Sequence, residues 1–299
     1  MKSNRLKDLI KAENSKISFE EYRIRYAAER FLLRLQESDY RDNFIIKGGF
    51  LLGTIFNVKQ RTTKDLDTLL KDIAADRDNI LRMLKSIIAI DLNDDLQFEL
   101  LNLLDTQKER TYDGFRAKFK MTFLEGNSSI HFDLDIGIGD PIIPQAKIIP
   151  IPLLFNEKKD EQKAITLYAY PIETILAEKT EIILNLGIRN SRMKDFYDIH
   201  LILNYQHRPS ITSFYDAFEN TWTFRHNDLS INEELFEDWF FTVDEIIANK
   251  DMNEIYWKNY IKDREYAKHL ELKNIASQFK GYLETLLLVY KAKQDIRSK

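Results

Sequence analysis

Two adjacent glycines, Gly48 and Gly49, separate two apolar stretches and limit the local fold to a tight turn. Ile45 and Ile46 precede them and end a predicted strand, whereas residues 50–56 are almost all apolar and predict a short helix. A strand that turns into a helix through glycine exposes backbone N–H groups, and the helix dipole favours negative charge there. The stretch therefore predicts a turn that can bind an anion such as a phosphate.

A second motif, Asp65-Leu66-Asp67, follows the predicted helix after a loop. If the motif is a strand, both carboxylates project from one face, because side chains alternate along a strand. Two carboxylates so close repel each other unless one keeps a proton or a cation lies between them. Mg²⁺ prefers oxygen ligands and also holds substrate phosphates. The motif therefore predicts a magnesium site.

A third carboxylate is expected from a strand predicted over residues 129–138. Asp133 and Asp135 share one face of that strand with His131. Polar residues on a sheet face are ordinarily just exposed to solvent. Two acids beside a histidine instead favour a further metal ligand, or a base that deprotonates an attacking hydroxyl. Either acid could take this role on spacing alone.

The glycine turn, the Asp65-Leu66-Asp67 motif and the later carboxylate strand occur in an order that resembles the sequences of AbiEii-type nucleotidyltransferase toxins. These toxins belong to bacterial abortive-infection and toxin–antitoxin systems. The similarity covers roughly residues 44–203 and is carried by Lys47-Gly48-Gly49, Arg61-Thr62-Thr63-Lys64-Asp65-Leu66-Asp67, Asp135-Ile136-Gly137, Glu178-Lys179 and Arg192-Met193-Lys194-Asp195-Phe196-Tyr197-Asp198. The strand end at Asp135 is the better match to the family, which favours Asp135 as the third carboxylate, with Asp133 as the alternative.

The resemblance implies an α+β fold, with a nucleotidyltransferase-fold catalytic half built on a mixed sheet and a mainly α-helical C-terminal half. We expect a catalytic domain over residues 1–169 and a helical domain over residues 170–299. The implied catalytic residues are Asp65, Asp67, Asp135, Lys179, Asp195 and Asp198. The implied nucleotide-binding residues are Lys47, Gly48, Gly49, Arg61, Thr63 and Lys194.

The implied activity is the transfer of a nucleotide from a nucleoside triphosphate to an acceptor, tRNA or another RNA. The resemblance further implies Mg²⁺ as cofactor, held by Asp65, Asp67 and Asp135. It implies a block of translation and growth, in phage defence or a toxin–antitoxin system, and a cognate antitoxin as partner. Two other functions stay open, an aminoglycoside-type small-molecule nucleotidyltransferase and a non-catalytic nucleotide-binding protein.

The later motifs also have structural interpretations. A lysine on a helix, such as Lys179, is usually exposed to solvent, and it is predicted to face away from the densest apolar stripe. Asp195 and Asp198 lie about one turn apart and could cap a helix or pair with Arg192 and Lys194.

Composition excludes several classes of protein. The 299 residues include no cysteine, so disulfides and thiolate metal sites are absent. The net charge of −4 restricts nucleic-acid binding to a local patch. No apolar run approaches the roughly 18 residues that span a membrane, so we expect a cytoplasmic protein without a membrane partner. Cations on two predicted elements are expected on solvated faces, with contact to RNA as the alternative: Arg23, Arg25, Arg30 and Arg34 on a helix, and Arg116, Lys118 and Lys120 on a strand.

Overall fold

The computed structural model describes residues 1–13, 17–56, 65–74, 76–106, 114–126, 128–155 and 164–297. The chain divides into two compact units, which we call the sheet unit and the helical unit. The sheet unit comprises residues 1–140 with 146–170, and the helical unit comprises residues 141–145 with 171–299.

The sheet unit contains one mixed sheet and, in its described residues, four α-helices. The helices are α1 (Ser3–Ala12), α2 (Phe19–Gln36), α3 (Gly48–Ile55) and α4 (Arg77–Ile88). The strands are β1 (Phe44–Lys47), β2 (Asp65–Leu70), β3 (Leu96–Asp105), β4 (Gly114–Phe123), β5 (Ser129–Ile138), β6 (Lys147–Pro152) and β7 (Ala164–Ala169). Their order across the sheet is β3-β4-β5-β2-β1-β7-β6. The β1–β7 and β2–β5 pairs are parallel and the other pairs are antiparallel, so the predicted mixed sheet is confirmed.

One face of the sheet is apolar and packs beneath α2. The ring of Phe31 on α2 lies 5.2 Å from that of Phe119 on β4, which lies 5.3 Å from that of Phe132 on β5. The helix begins with a capping box, in which the Ser18 hydroxyl accepts from the backbone N–H of Glu21 and the Glu21 carboxylate accepts from that of Ser18. The opposite face of the sheet is consequently left to the polar side chains.

The solvated face predicted for the arginines of α2 is wrong for three of them. Arg25, Arg30 and Arg34 are 8%, 4% and 1% exposed. All residues from 25 to 35 are buried, so this part of the helix has no side open to solvent. Each guanidinium keeps polar or aromatic neighbours, as Arg34 does with Asp94 at 2.7 Å, which makes its burial tolerable.

The helical unit is built on buried aromatic side chains. Its elements are α5 (Ile172–Leu186), α6 (Met193–Leu203), α7 (Ile211–Arg225), α8 (Glu233–Ala248), α9 (Trp257–Ile261) and α10 (Leu272–Arg297), with a π-helical turn over Met252–Tyr256. Trp239 of α8 lies between Phe218 and Trp222 of α7, at ring distances of 5.3 and 4.8 Å. The aromatic residues at helical spacing therefore form a core.

Candidate active site

Four charged side chains form one row across the polar face of the sheet. Lys47 on β1 lies opposite Asp67 on β2, and Asp67 lies beside Asp135 on β5. Asp135 in turn lies opposite Arg116 on β4. Residues directly opposite on neighbouring strands project from the same face. The row therefore runs positive, negative, negative, positive across four adjacent strands.

A second row lies two residues away along the same strands. Asp65 on β2 lies beside Asp133 on β5, which lies opposite Lys118 on β4. Because side chains alternate along a strand, this row shares the face of the first. The fold thus brings four carboxylates to one face, although the two strands that carry them are far apart in the sequence.

The glycine turn packs directly against the second carboxylate of the β2 motif. Gly48 begins α3 with a φ of +68°, a left-handed conformation that favours glycine. A Cβ atom at Gly48 would overlap the carboxylate of Asp67. The backbone N–H of Gly49 donates to Asp67 Oδ2 at 3.3 Å. The start of α3 is therefore held in contact with Asp67 by its own backbone, which no residue with a side chain at position 48 would permit.

We expect Gly48→Ala to impair the site more than the fold. The substitution forces either the strained φ onto alanine or the Asp67 carboxylate out of its position, at about 1–3 kcal/mol of strain. Nucleotide transfer should fall by at least tenfold, measured at a temperature where circular dichroism shows the variant to be folded. Gly139→Ala is the matched control, since Gly139 also has a positive φ but no described atom lies within 4 Å of the position that its Cβ would take. Equal activity in the two variants would contradict the close contact with Asp67.

Arg116 holds Asp135 in a two-point ion pair. Its Nε lies 2.6 Å from Asp135 Oδ1 and its Nη2 lies 2.9 Å from Asp135 Oδ2. The hydrogen bond to Asp135 raises the pKa of Arg116, and the charges of Asp135, Asp65 and Asp133 add to this against the opposing effect of burial. Arg116 was predicted on a solvated face, and that interpretation missed the pair. Only the β4–β5 register places Arg116 beside Asp135, and the sequence does not reveal that register.

Lys47 also has a partner that the sequence did not indicate. Its ammonium lies 2.7 Å from Asp140 Oδ2 and 5.0 Å from the ring centre of Tyr170. Asp140 follows β5 in the chain. The register places Ile138, the last residue of β5, beside Leu70, which lies opposite Phe44 at the start of β1. The lysine side chain is thus held by the segment that follows β5 rather than extended into solvent.

The carboxylates of Asp65, Asp67 and Asp135 are chemically suited to bind a hard cation such as Mg²⁺. Asp65, Asp67 and Asp135 supply carboxylate oxygens from adjacent strands, which are the ligands Mg²⁺ prefers. In the structure both oxygens of Asp135 are engaged by Arg116. Among the described residues no three acids or histidines are arranged closely enough to enclose a metal ion. Asp65 and Asp67 are therefore the two carboxylates on one strand that could supply ligands, and Asp135 could supply a third only on leaving Arg116.

The later motif residues come together inside the helical unit. The Lys179 ammonium on α5 lies 2.8 Å from Asp195 Oδ1 and 2.6 Å from Asp198 Oδ2, both on α6. Arg192 Nε lies 2.8 Å from Asp195 Oδ2. Asp195 and Asp198 are fully buried, and Lys179 is 8% exposed. The structural interpretation of Lys179 as a solvent-exposed helix residue is wrong, because the turn of α5 that carries it packs against α6. The predicted role of Lys179 in the site stays a prediction.

The cluster formed by Lys179, Arg192, Asp195 and Asp198 favours the charged form of the Asp195 carboxylate. Burial on its own would raise the pKa of Asp195, but the charges of Lys179, Arg192 and Lys194 outweigh it and hold that pKa below its usual value. Lys194 itself is exposed. The predicted nucleotide-binding residues Arg61 and Thr63 lie outside the described residues.

Comparison with known proteins agrees with the motifs. The model of the family described as nucleotidyl transferase AbiEii toxin, type IV toxin–antitoxin system, matches residues 30–284. The chain belongs to this family. It is therefore a nucleotidyltransferase toxin, and the family implies a nucleoside triphosphate substrate and an antitoxin partner.

Solved structures resemble this AbiEii-family chain. MenT4, a nucleotidyltransferase toxin of Mycobacterium tuberculosis H37Rv, is 14% identical, with a TM-score of 0.50 over 90% of this chain and 95% of MenT4. JHP933 from Helicobacter pylori is 12% identical, with a TM-score of 0.49 over 94% of this chain and 98% of JHP933. At such identities the likeness to MenT4 supports the fold alone. No curated protein sequence matches the chain.

In the described part of the chain, no helix has the length and apolar character needed to cross a bilayer.

Proposed function

We propose that this AbiEii-family toxin is a metal-dependent enzyme that transfers a nucleotide from a nucleoside triphosphate to RNA, with tRNA as the acceptor. The observation that carries the proposal is the row Lys47–Asp67–Asp135–Arg116 on one sheet face, with the Gly48–Gly49 turn packed against Asp67. An anion-binding turn beside paired carboxylates is what a triphosphate and its counter-ion require.

Each part of the row has a proposed task. The backbone N–H groups at the start of α3 that do not donate to Asp67, together with the ammonium of Lys47, bind the outer phosphates. Asp65 and Asp67, with Asp135 as third ligand, would hold Mg²⁺, which when bound neutralises the triphosphate and polarises the α-phosphorus. Arg61 and Thr63, which precede β2 in the sequence, are proposed to contact the same phosphates.

The proposed reaction is an in-line substitution at the α-phosphorus. A hydroxyl oxygen of the acceptor forms the new bond to the α-phosphorus, the bond from that phosphorus to the bridging oxygen breaks, and pyrophosphate leaves. A carboxylate of the row accepts the hydroxyl proton. If Asp135 leaves Arg116, which engages both of its oxygens, without becoming a metal ligand, it is the carboxylate of the row that would act as this base.

We assign Lys179 to the leaving pyrophosphate. An ammonium near the triphosphate acts as a point charge, and it assists most where charge builds in the transition state. The family resemblance carries this assignment; within the helical unit the ammonium is held by Asp195 and Asp198. Lys194, exposed at the start of α6, is proposed to contact the nucleotide.

The biological consequence proposed is growth arrest through a block of translation, in phage defence or a toxin–antitoxin system in the cytoplasm. Expression in a bacterium without the antitoxin should stop growth, and Asp67→Asn should restore it. Purified protein incubated with total RNA, Mg²⁺ and each labelled nucleoside triphosphate should then label an RNA band. Labelling of an added aminoglycoside instead would favour the small-molecule enzyme. Nucleotide binding without transfer to any acceptor would favour a non-catalytic protein.

A further inference from the structure

A buried ion pair on α2 contacts α3, the helix that begins at the glycine turn. Arg25 and Glu29 of α2 are 8% and 2% exposed, and Arg25 Nε lies 2.7 Å from Glu29 Oε1. The other oxygen of Glu29 accepts from the backbone N–H of Leu154 at 2.8 Å. Both residues precede position 30, where the match to the family begins. None of the tasks described so far uses this pair.

The guanidinium of Arg25 donates hydrogen bonds to two residues of α3 that lie one turn apart. Nη1 donates to the backbone carbonyl of Phe50 at 3.0 Å, and Nη2 donates to the Thr54 hydroxyl at 2.9 Å. The guanidinium also lies 3.6 Å from the ring centre of Phe50. The two hydrogen bonds and the guanidinium–ring contact all lie between Arg25 and α3. Together they fix the rotation of α3 about its own axis and its distance from α2.

Such an anchor matters because α3 has only eight residues. A helix this short is not stable by itself and takes its orientation from tertiary contacts. It begins with no side-chain cap, and its first turn instead carries the Gly49 N–H that donates to Asp67. Any rotation of α3 would turn that N–H away from the carboxylate.

We propose that Arg25 is a positioning residue for triphosphate binding, which it serves by clamping Phe50 and Thr54 and so aiming the N–H groups at the start of α3. The inference rests on the proposed function, since it assumes that these N–H groups bind the outer phosphates. Glu29 compensates the buried charge of Arg25 and ties the clamp to the backbone at Leu154.

Arg34 provides a matched control on the same helix. It is 1% exposed, pairs with Asp94 at 2.7 Å and lies 4.5 Å from the ring centre of Phe98. Its hydrogen bonds go to Asp94 and to the carbonyls of Arg30 and Leu96, none of which belongs to α3. Arg25→Met and Arg34→Met therefore remove chemically similar buried pairs, but only the first releases α3.

The experiment measures thermal unfolding, kcat and KM for both variants, with each of the four common ribonucleoside triphosphates, Mg²⁺ and total RNA. Both variants should unfold at lower temperature than wild type. Arg25→Met should raise the KM for the triphosphate on the order of tenfold, as expected for losing a well-aimed hydrogen bond to phosphate. Arg34→Met should keep KM within about twofold of wild type. Arg25→Lys retains the positive charge and one donor nitrogen, so its KM should lie between those of Arg25→Met and wild type.

Thr54→Val keeps the inference testable if Arg25→Met does not fold. Without creating a cavity, it removes the hydroxyl that accepts from Arg25 and that donates to the Phe50 carbonyl at 3.1 Å. It should raise KM in the same direction and by a smaller factor. Equal KM values in Arg25→Met and Arg34→Met, or an unchanged KM in Thr54→Val, would overturn the positioning role. Gly48→Ala separates the two claims: if it also leaves KM unchanged, the proposed phosphate site fails, and with it the inference. If only Gly48→Ala raises KM, the phosphate site stands and the role of Arg25 fails.

Discussion

Lys179→Met should lower the free energy of unfolding of the helical unit by about 3–5 kcal/mol. The substitution nearly preserves the volume of the side chain but leaves Asp195 and Asp198 buried without the ammonium that lies 2.8 and 2.6 Å from them. An uncompensated buried carboxylate must either stay charged in a poorly solvating site or take up a proton, and both cost free energy. Urea unfolding at neutral pH, followed by circular dichroism, measures the loss.

Lys280→Met is the control for this prediction. Its ammonium lies 2.7 Å from Asp244, a similar distance, but the Asp244 side chain is 55% exposed. An exposed pair contributes less than about 1 kcal/mol. If the two variants lost equal stability, the burial of the Lys179 cluster would have no energetic consequence.

We further expect the turnover of Lys179→Met to fall on the order of a hundredfold at a temperature where the variant is folded. Wild-type turnover under the same conditions would contradict the assignment of Lys179 to the leaving pyrophosphate.

Asp65→Asn and Asp67→Asn should each reduce nucleotide transfer by roughly a hundredfold to a thousandfold. Each change removes one of two negative charges that share a face of β2, so repulsion between them is relieved and the fold should lose little stability. In Asp67→Asn the oxygen of the new side-chain amide could still accept from the Gly49 N–H, as the carboxylate does at 3.3 Å. Initial rates of label incorporation measure the effect, and thermal unfolding checks the fold.

Asp72→Asn serves as the control acid. Asp72 is exposed, follows β2 closely and has a positive φ that asparagine tolerates well. Its replacement should leave both transfer and stability unchanged. Activity close to wild type in both Asp65→Asn and Asp67→Asn would remove the carboxylate pair from the mechanism.

The parts of this site that could be predicted from the sequence are those set by local periodicity. Alternation along a strand places Asp65 and Asp67 on one face, and adjacent glycines between apolar stretches mark a turn into a helix. Both features depend on neighbours within a few residues. The α+β class, by contrast, was implied by the resemblance to the AbiEii family.

Contacts across the sheet could not be predicted, because they depend on strand order and register. Arg116 and Asp135 are separated by nineteen residues and meet only because β4 and β5 pair in one particular register. Asp140 meets Lys47 at a separation of ninety-three residues. No local pattern distinguishes these charged residues from others on an exposed strand face.

Burial of charge was the second feature that the sequence concealed. Arg25 and Lys179 lie on helices whose apolar stripes leave room for a polar face, so solvent exposure was the simpler prediction. In the structure each has carboxylate partners that are buried with it: Glu29 for Arg25, and Asp195 and Asp198 for Lys179. The resemblance to the AbiEii family pointed to the Lys179 set, and nothing in the sequence pointed to Arg25.

The fate of the phosphorus atoms tests the central claim most directly. Wild-type protein and Asp67→Asn are incubated with total RNA, Mg²⁺ and a nucleoside triphosphate labelled at either the α- or the γ-phosphorus. Nucleotidyl transfer predicts that the α-label enters RNA, that the γ-label appears only in pyrophosphate, and that Asp67→Asn loses both signals. Entry of the γ-label into the acceptor, or equal incorporation of the α-label by Asp67→Asn, would contradict the proposed site.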